Sequence, residues 1–219
     1  MTSGRGGGHV RVKTARNRSA QSTRWLARQL NDPYVKRAKA EGYRSRAAYK
    51  LIEIDEKTGI LKGVRAVVDL GIAPGGWAQV VRRKVPAAAI AGIDLLPVDP
   101  IEGVSILQMD FMADDAPALL MEALGGRAPD LVMSDMAANT VGHPQTDHLR
   151  TLALAEAAAE FAIEVLAPGG SFVAKVFQGG TDRDLLVRLK QAFATVKHVK
   201  PPSSRKGSPE LFVVAQGRK

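Results

Sequence analysis

The sequence predicts an α/β protein in which helices cover both faces of a mostly parallel β-sheet. Short apolar segments rich in Val and Ile alternate with longer amphipathic segments of helical spacing. Several apolar segments end in aspartate or in a glycine turn, which is typical of parallel strands at a ligand-binding edge. At 219 residues and 45% hydrophobic content, the chain can bury one core, so one domain with an appendage is expected.

The predicted elements follow one another in alternating order. Strands are predicted at 66–68, 87–93, 104–109, 130–134, 171–177, 196–199 and 211–215, and a polar loop at 200–210 joins the last two. Helices are predicted at 46–57, 77–84, 114–124, 147–166 and 181–193, and a helical turn or two at 25–30. Ser45 is the expected N-cap of the helix at 46–57, and Gly59 its C-terminal stop.

The segment at 66–81, AVVDLGIAPGGWAQVV, is predicted to form a strand, a glycine turn and a helix. Ala73 occupies the place of the middle glycine of a dinucleotide fingerprint, and Trp77 and Ala78 occupy the places of the lysine and hydroxyl residue of a P-loop. These departures argue against a dinucleotide and against the phosphates of a P-loop ligand. They do not argue against S-adenosylmethionine (SAM), which carries no phosphate. A turn that serves only packing is the alternative.

The composition limits the classes of protein. There are no cysteines, which excludes disulfides and thiolate metal sites. The longest apolar run, 85–93, is too short to cross a bilayer, and no apolar segment of a secretory signal follows the basic N-terminus. A cytoplasmic protein without membrane contact is therefore expected.

The net charge of +9 is concentrated near the N-terminus, where residues 1–50 hold 13 Lys and Arg against Asp32 and Glu41. We expect a basic, partly disordered arm at 1–35 and a folded domain at 36–219. The arm could bind a polyanion such as RNA or remain a solvated tail, and its charge does not decide between them. Between Tyr34 and Arg44, tyrosines alternate with cations, a pattern suited to stacking on bases.

Acidic residues follow three consecutive predicted strands: Asp94, Asp110 and Asp135. Asp94 comes 23 residues after Gly71, where a Rossmann-like unit places the carboxylate that binds a ribose. Lys175 lies inside an apolar strand, where a lysine is costly unless it is paired or faces a cleft. Lys50 lies at the edge of the apolar face of its helix, and this pattern alone is better interpreted as a surface lysine.

From residue 43 to 219 the chain resembles the FtsJ/RrmJ (RlmE) family of SAM-dependent ribosomal RNA ribose 2′-O-methyltransferases. The resemblance rests on the order and spacing of SRAAYKL, VVDLGIAPGGW, DLLPVDPI, MDF, MSDMAAN, LAPGGSFVAKVFQG, SSRKGSPE and the terminal GRK. Ala138 stands where the family often has proline, and the arm before Tyr43 matches less well. The fold implied is a Rossmann-like SAM-dependent methyltransferase with a mostly parallel seven-stranded sheet.

The resemblance also implies the functional residues. The catalytic tetrad falls on Lys50, Asp135, Lys175 and Glu210. The SAM contacts fall on Gly75, Trp77, Asp94 and Asp110, with Asp135 near the methyl donor. No metal ion is expected, because methyl transfer leaves no phosphoryl charge to neutralise and no His/carboxylate cluster has ligand spacing.

The substrate implied is a uridine of the peptidyl-transferase A-loop in 23S rRNA, within the large ribosomal subunit or its late precursor. A monomer without an obligate protein partner is expected. Two alternatives stay open: a tRNA ribose 2′-O-methyltransferase and a non-catalytic ribosome-assembly factor. The role of Lys175 is also open, because a lysine in water has a pKa of about 10.4 and must be neutral to act as a base. Otherwise it would stabilise the developing alkoxide as a cation.

Overall fold

The structure, a computed structural model, describes residues 19–138, 143–177, 183–205 and 207–219. The helices are α1 (Ala20–Asn31), α2 (Pro33–Ala40), α3 (Ala47–Thr58), α4 (Gly76–Lys84), α5 (Ala116–Ala123), α6 (Pro144–Val165) and α7 (Arg183–Ala192). The strands are β1 (Ala66–Leu70), β2 (Ala89–Asp94), β3 (Val104–Gln108), β4 (Leu131–Ser134), β5 (Ser171–Phe177), β6 (Phe193–Val199) and β7 (Glu210–Arg218).

The seven strands form one sheet in the order β3-β2-β1-β4-β5-β7-β6. The first five strands are parallel, and β7 is antiparallel to both of its neighbours. The direction in which the chain adds strands reverses between β1 and β4. Ligands of open α/β sheets bind in the crevice beyond the strand ends at such a point. The predicted mostly parallel seven-stranded sheet is confirmed.

Helices cover the sheet on both faces, as predicted. One apolar layer packs side chains of α5, α6 and α7 against the sheet, and the other packs α3 and α4 against the opposite face. All five residues of β1 are buried, as expected for a central parallel strand covered on both sides. This core fixes the strand ends on which the functional side chains lie.

The last two strands are longer than predicted. β6 begins at Phe193, which the sequence pattern assigned to the preceding helix, because this residue pairs with Arg218. β7 begins at Glu210, which was predicted to lie in a loop but pairs with Phe177 of β5. Glu210 is therefore held by the sheet, at the edge where β5 ends.

The N-terminal part of the described chain is helical. Asp32 ends α1 and caps α2, and its Oδ1 accepts a hydrogen bond from the Tyr34 amide at 3.0 Å. α2 (Pro33–Ala40) includes residue 35, the predicted boundary between the basic arm and the folded domain. That boundary stays a prediction. Within the predicted partly disordered arm at 1–35, residues 20–31 are helical, and the first 18 residues lie outside the described part of the chain.

Only one of the two predicted ends of α3 is correct. Gly59 ends the helix in the left-handed conformation, with φ of 64°. Ser45 is not the N-cap, because Arg46 occupies that position without a capping side-chain bond. The Ser45 hydroxyl instead lies against Gly76, where an added Cβ would be 2.5 Å from Oγ.

Candidate active site

The candidate active site lies at the edge of the sheet where the parallel strands end. Asp135 directly follows β4, Lys175 lies near the end of β5, and Glu210 begins the antiparallel β7 at the same edge. Lys50 reaches this edge from α3, which packs over the sheet. The structure thus brings the four predicted catalytic residues together.

The four side chains form a connected set of ion pairs. Lys50 Nζ lies 2.7 Å from Glu210 Oε2 and 3.5 Å from both carboxylate oxygens of Asp135. Lys175 Nζ lies 3.2 Å from Asp135 Oδ1 and donates a hydrogen bond to the Asp135 carbonyl oxygen at 2.6 Å. Asp135 therefore contacts both lysines, and Lys50 contacts both acids.

The side chains of this cluster are 7% to 17% exposed. Burial and neighbouring charges shift the pKa values of Lys50 and Asp135 in opposite directions. Burial disfavours the ammonium of Lys50, but the carboxylates of Asp135 and Glu210 outweigh it and raise the pKa of Lys50. Burial likewise disfavours the Asp135 carboxylate, yet Lys175 and Lys50 hold its pKa below the ordinary value. Lys50 and Asp135 are therefore both charged near neutral pH.

Neighbouring residues fix Glu210 and Lys50 further. Ser204 donates a hydrogen bond from Oγ to Glu210 Oε1 at 3.0 Å, and the Glu210 amide donates to Ser208 Oγ at 3.2 Å. The ammonium of Lys50 lies 5.5 Å from the ring centre of Phe212 on β7. The interpretation of Lys50 as a surface lysine from its helical pattern is wrong, because β7 and the residue after β4 supply partners that are distant in sequence.

The glycine turn after β1 closes the other side of the site. Gly71 and Gly75 have φ of 79° and 106°, which favour glycine. The Asp94 carboxylate holds this turn, because its Oδ2 accepts from the Ala73 amide at 2.8 Å and its Oδ1 accepts from the Leu96 amide at 2.9 Å. The ends of β1 and β2 are thereby fixed relative to each other.

A pocket opens between this turn and the segment after β4. It is lined by Gly71, Ile93, Asp94, Leu95, Met109, Asp110, Phe111, Met136, Ala137 and Leu154. This lining is mostly apolar and includes two carboxylates, which is the chemistry that an adenosine group requires, because its base is flat and its ribose offers hydroxyl donors. Asp94 and Asp110 are thus placed as predicted, although their cofactor contacts remain a prediction.

Trp77, a predicted cofactor contact, has its side chain in the core. It is 3% exposed and donates a hydrogen bond from Nε1 to the Ala47 carbonyl at 2.8 Å. Its ring lies 5.6 Å from that of Phe212. Its indole joins α3, α4 and β7, so a cofactor contact from this residue would have to come from its backbone in the first turn of α4.

Sequence reasoning missed Asp69, a carboxyl buried in β1 beneath the turn. It is 1% exposed, and its Oδ2 has no hydrogen-bond partner among the described residues. Burial raises the pKa of Asp69 to about 8, with smaller contributions from the charges of Asp135 and Asp94. An aspartate inside an otherwise apolar strand, AVVDL, was the available signal.

Arg44 was also missed as a residue that supports the turn. Its guanidinium donates to the carbonyl oxygens of Pro74 at 3.3 Å, Asp99 at 2.6 Å and Pro100 at 2.8 Å. It therefore joins the glycine turn to the loop after β2. The sequence pattern had placed Arg44 in a set suited to nucleic-acid stacking.

The tyrosines of that set pack within the protein. Tyr34 and Tyr43 lie 5.4 and 5.8 Å from the ring of Tyr49, and the Arg83 guanidinium lies 4.1 Å above Tyr43. These rings dock α2 onto α3 and α4, so the expectation that they stack on bases is not supported.

The described residues contain no group of three or more potential ligands placed to bind a metal ion. Within the same residues, no helix is both long and apolar enough to cross a membrane.

Comparison with known proteins finds relatives that match nearly the whole chain. A ribosomal RNA large subunit methyltransferase E of Sphingopyxis alaskensis is 75% identical over 99% of this chain and 94% of its own length. A protein of the same description from Zymomonas mobilis is 66% identical over 95% of this chain and 94% of its own length.

Solved structures show the same fold. A crystal structure described as a ribosomal RNA methyltransferase from Plasmodium falciparum matches with a TM-score of 0.71 and 32% identity, over 80% of this chain and 98% of the other. A Streptococcus thermophilus protein described as a hemolysin matches with a TM-score of 0.57 and 15% identity, which shows the fold alone.

The FtsJ-like methyltransferase family matches residues 43–218, which include every predicted site residue. The expected methyltransferase fold and enzyme class are therefore confirmed. The chain belongs to the FtsJ-like methyltransferase family.

Proposed function

We propose that this protein transfers a methyl group from SAM to a ribose 2′-hydroxyl of large-subunit ribosomal RNA. The observation that carries the proposal is the position of the four charged side chains relative to two pockets. Met136 and Ala137, next to Asp135, line the pocket at the glycine turn. Lys50 and Glu210 line a second pocket, which also contains two arginines. A methyl donor in the first pocket and an RNA strand at the second would therefore meet at the four charged side chains.

Residues of the first pocket and of the glycine turn beside it would hold SAM. Asp94 would accept hydrogen bonds from the ribose hydroxyls, Asp110 would bind the adenine edge, and Gly75 would let the backbone approach the methionyl part. When bound, SAM supplies an electrophilic methyl group on a sulfonium. Asp135, at the border of this pocket, would face that positive charge with its carboxylate.

The two lysines would have different roles toward the substrate. Lys50, kept charged by its two acids, would hold the ribose. Lys175, which contacts only Asp135 among the four, would act as a neutral amine and accept the proton of the 2′-hydroxyl as the oxygen attacks. Asp135 would orient Lys175 through the carbonyl and carboxylate contacts. Such proton transfer contributes typically 10²–10⁴-fold to a rate.

The names of the relatives support ribosomal RNA as the substrate. We propose a uridine of the peptidyl-transferase A-loop in 23S rRNA as the target, methylated on the large subunit or its late precursor. The protein would act as a monomer in the cytoplasm, and its basic arm at 1–35 would add affinity for RNA.

The experiment supplies purified protein and labelled SAM with large ribosomal subunits or with bulk tRNA, both from cells lacking the enzyme. Labelled nucleotides are then mapped. We expect one ribose-methylated uridine in 23S rRNA. Label in tRNA alone would make the protein a tRNA methyltransferase, and label in neither would favour a non-catalytic assembly factor.

Two lysine variants control the assignment of the site. Lys175→Ala should lower the rate of methyl transfer by about 10²–10⁴-fold while the Kd for SAM stays near that of wild type. Lys197→Ala removes an exposed lysine from β6, at the edge of the same sheet, and should leave both quantities unchanged. A parallel loss of SAM affinity in Lys175→Ala would make Lys175 a cofactor-binding or structural residue.

A further inference from the structure

A small basic pocket shares Lys50 and Glu210 with the catalytic cluster. It has a volume of about 200 Å³, and its lining includes Arg46, Lys50, Arg205, Ser208 and Glu210. Pockets for whole small-molecule ligands usually measure roughly 300–1,000 Å³. This pocket therefore suits part of a nucleotide.

The cationic side chains at this pocket outnumber the carboxylates that pair with them. Lys50 is balanced by Glu210, with 2.7 Å between Nζ and Oε2. Both arginines share one carboxylate, because Asp32 Oδ2 forms an ion pair with Arg46 and lies 3.5 Å from Arg205 Nε. One guanidinium charge remains uncompensated among these five side chains. An anion at the pocket would balance it.

The two arginines are held differently. The Arg46 side chain is 15% exposed and is fixed by hydrogen bonds to Asp32 and to the Ser203 carbonyl. Burial lowers the pKa of Arg46 against the opposing charge of Asp32, and Arg205 lowers it further. The Arg205 side chain is 39% exposed, so its guanidinium is accessible to a ligand.

A second set of contacts ties the loop that carries Arg205 to α3. Glu53 Oε2 accepts hydrogen bonds from the amide and hydroxyl of Ser203 at 2.8 and 2.6 Å, and Glu53 Oε1 accepts one from the Tyr34 hydroxyl at 3.3 Å. The pocket is thus preorganised by α2, α3 and this loop together. Preorganisation lowers the cost of ordering side chains on binding.

We propose that Arg205 and Arg46 bind one phosphodiester group of the RNA strand beside the target ribose. Planar guanidinium groups match phosphate oxygens in bidentate geometry. The Ser208 hydroxyl, whose oxygen accepts from the Glu210 amide, can donate its hydrogen to the same group. Because Lys50 and Glu210 border both the pocket and the reacting centre, a phosphate held here would fix the ribose next to Lys175. This inference rests on the proposed function.

The test compares Arg205→Ala with Arg188→Ala. Arg188 lies on α7, its side chain is also 39% exposed, and it is also paired with acids. The Kd for large ribosomal subunits is measured over a series of salt concentrations. We expect Arg205→Ala to weaken binding about tenfold at low salt. Its plot of log affinity against log salt should lose about 0.7–0.9 of slope, the contribution of one phosphate. The Kd for SAM should not change.

Arg205→Lys should recover part of the affinity, because a lysine keeps the charge but loses the bidentate geometry. Equal salt slopes for Arg205→Ala and Arg188→Ala would overturn the proposal. Binding is measured whether or not the wild-type protein methylates the subunits. Absence of methylation would therefore contradict the proposed function, whereas an unchanged salt slope would contradict the phosphate site.

Discussion

Replacing Asp69 by asparagine tests whether an uncharged carboxyl lies beneath the candidate active site. The side chain is buried in β1, accepts a hydrogen bond from the Ala78 amide, and has an unpartnered Oδ2 within the described residues. Asparagine keeps an acceptor for Ala78 and has nearly the same shape. It therefore mimics the protonated acid without its pH dependence.

The magnitude follows from the two pKa values. Burial is the main reason that the pKa of Asp69 rises from 3.8 to about 8 in the folded protein. Since the folded state keeps a proton that the unfolded chain releases, stability from this group is fully present below pH ~4 and is lost as the pH rises toward ~8. One pKa unit corresponds to about 1.4 kcal/mol, so wild type should lose roughly 4 kcal/mol by pH 7.

The assay is urea unfolding of cofactor-free wild type and Asp69→Asn over a series of pH values. The variant should be the more stable protein near pH 7, and its advantage should grow by up to about 1.4 kcal/mol for each unit between pH ~5 and ~8. Asp115→Asn, at an exposed position before α5, controls for the loss of one charge. A stability difference that does not vary with pH would refute the reasoning, because Asp69 would then carry the same charge in both states.

Three further substitutions test other parts of the site. Lys50→Met should lower the free energy of unfolding by about 3 kcal/mol, because it leaves the buried Glu210 carboxylate without its cation and leaves Asp135 with Lys175 as its cationic partner. It should also move the acid limb of the pH–rate profile to higher pH as the pKa of Asp135 rises. Denaturant titration and rate measurements check this. Gly75→Ala should lower the free energy of unfolding, measured with urea, by about 1–3 kcal/mol, because φ is +106° and the new Cβ would lie 2.5 Å from a neighbouring side chain. It should also weaken SAM binding, measured by calorimetry. Gly126→Ala, with φ of +70° but nothing within 4 Å, separates backbone strain from crowding. Trp77→Phe should lower stability by about 1–3 kcal/mol and leave the Kd for SAM within about threefold, if the indole serves packing.

Features encoded by local pattern were predictable from the sequence. Asp94 and Asp135 follow apolar runs, and parallel strands end at one edge of a sheet, so their proximity could be inferred before any coordinates. The left-handed end of α3 at Gly59 likewise needed only a glycine after a helical pattern. These predictions depend on a few neighbouring residues and on rules of chain connection.

Features that depend on distant partners were not predictable in the same way. Lys50 reads as a surface residue within its helix, and only its contacts with Asp135 and Glu210 reveal the buried cluster. The indole of Trp77 lies next to the glycine turn in sequence, but the carbonyl of Ala47 and the ring of Phe212 draw it into the core. For Lys50 the family resemblance supplied what the residue pattern could not, whereas for Trp77 neither predicted that the indole packs in the core.

Asp135 explains why the two halves of the site should act together. Its amide donates to the Leu70 carbonyl at 3.2 Å, which fixes it beside the turn, and its carboxylate and carbonyl contact Lys175. The next residue, Met136, lines the pocket at the turn and crowds Gly71, where an added Cβ would lie 2.9 Å from Cγ. Because one short segment lines the pocket at the turn and carries the carboxylate that contacts both lysines, displacement of this segment would also move the partner of Lys175. If SAM binds in this pocket as proposed, its occupancy would therefore affect the geometry of the residue proposed to take the substrate proton.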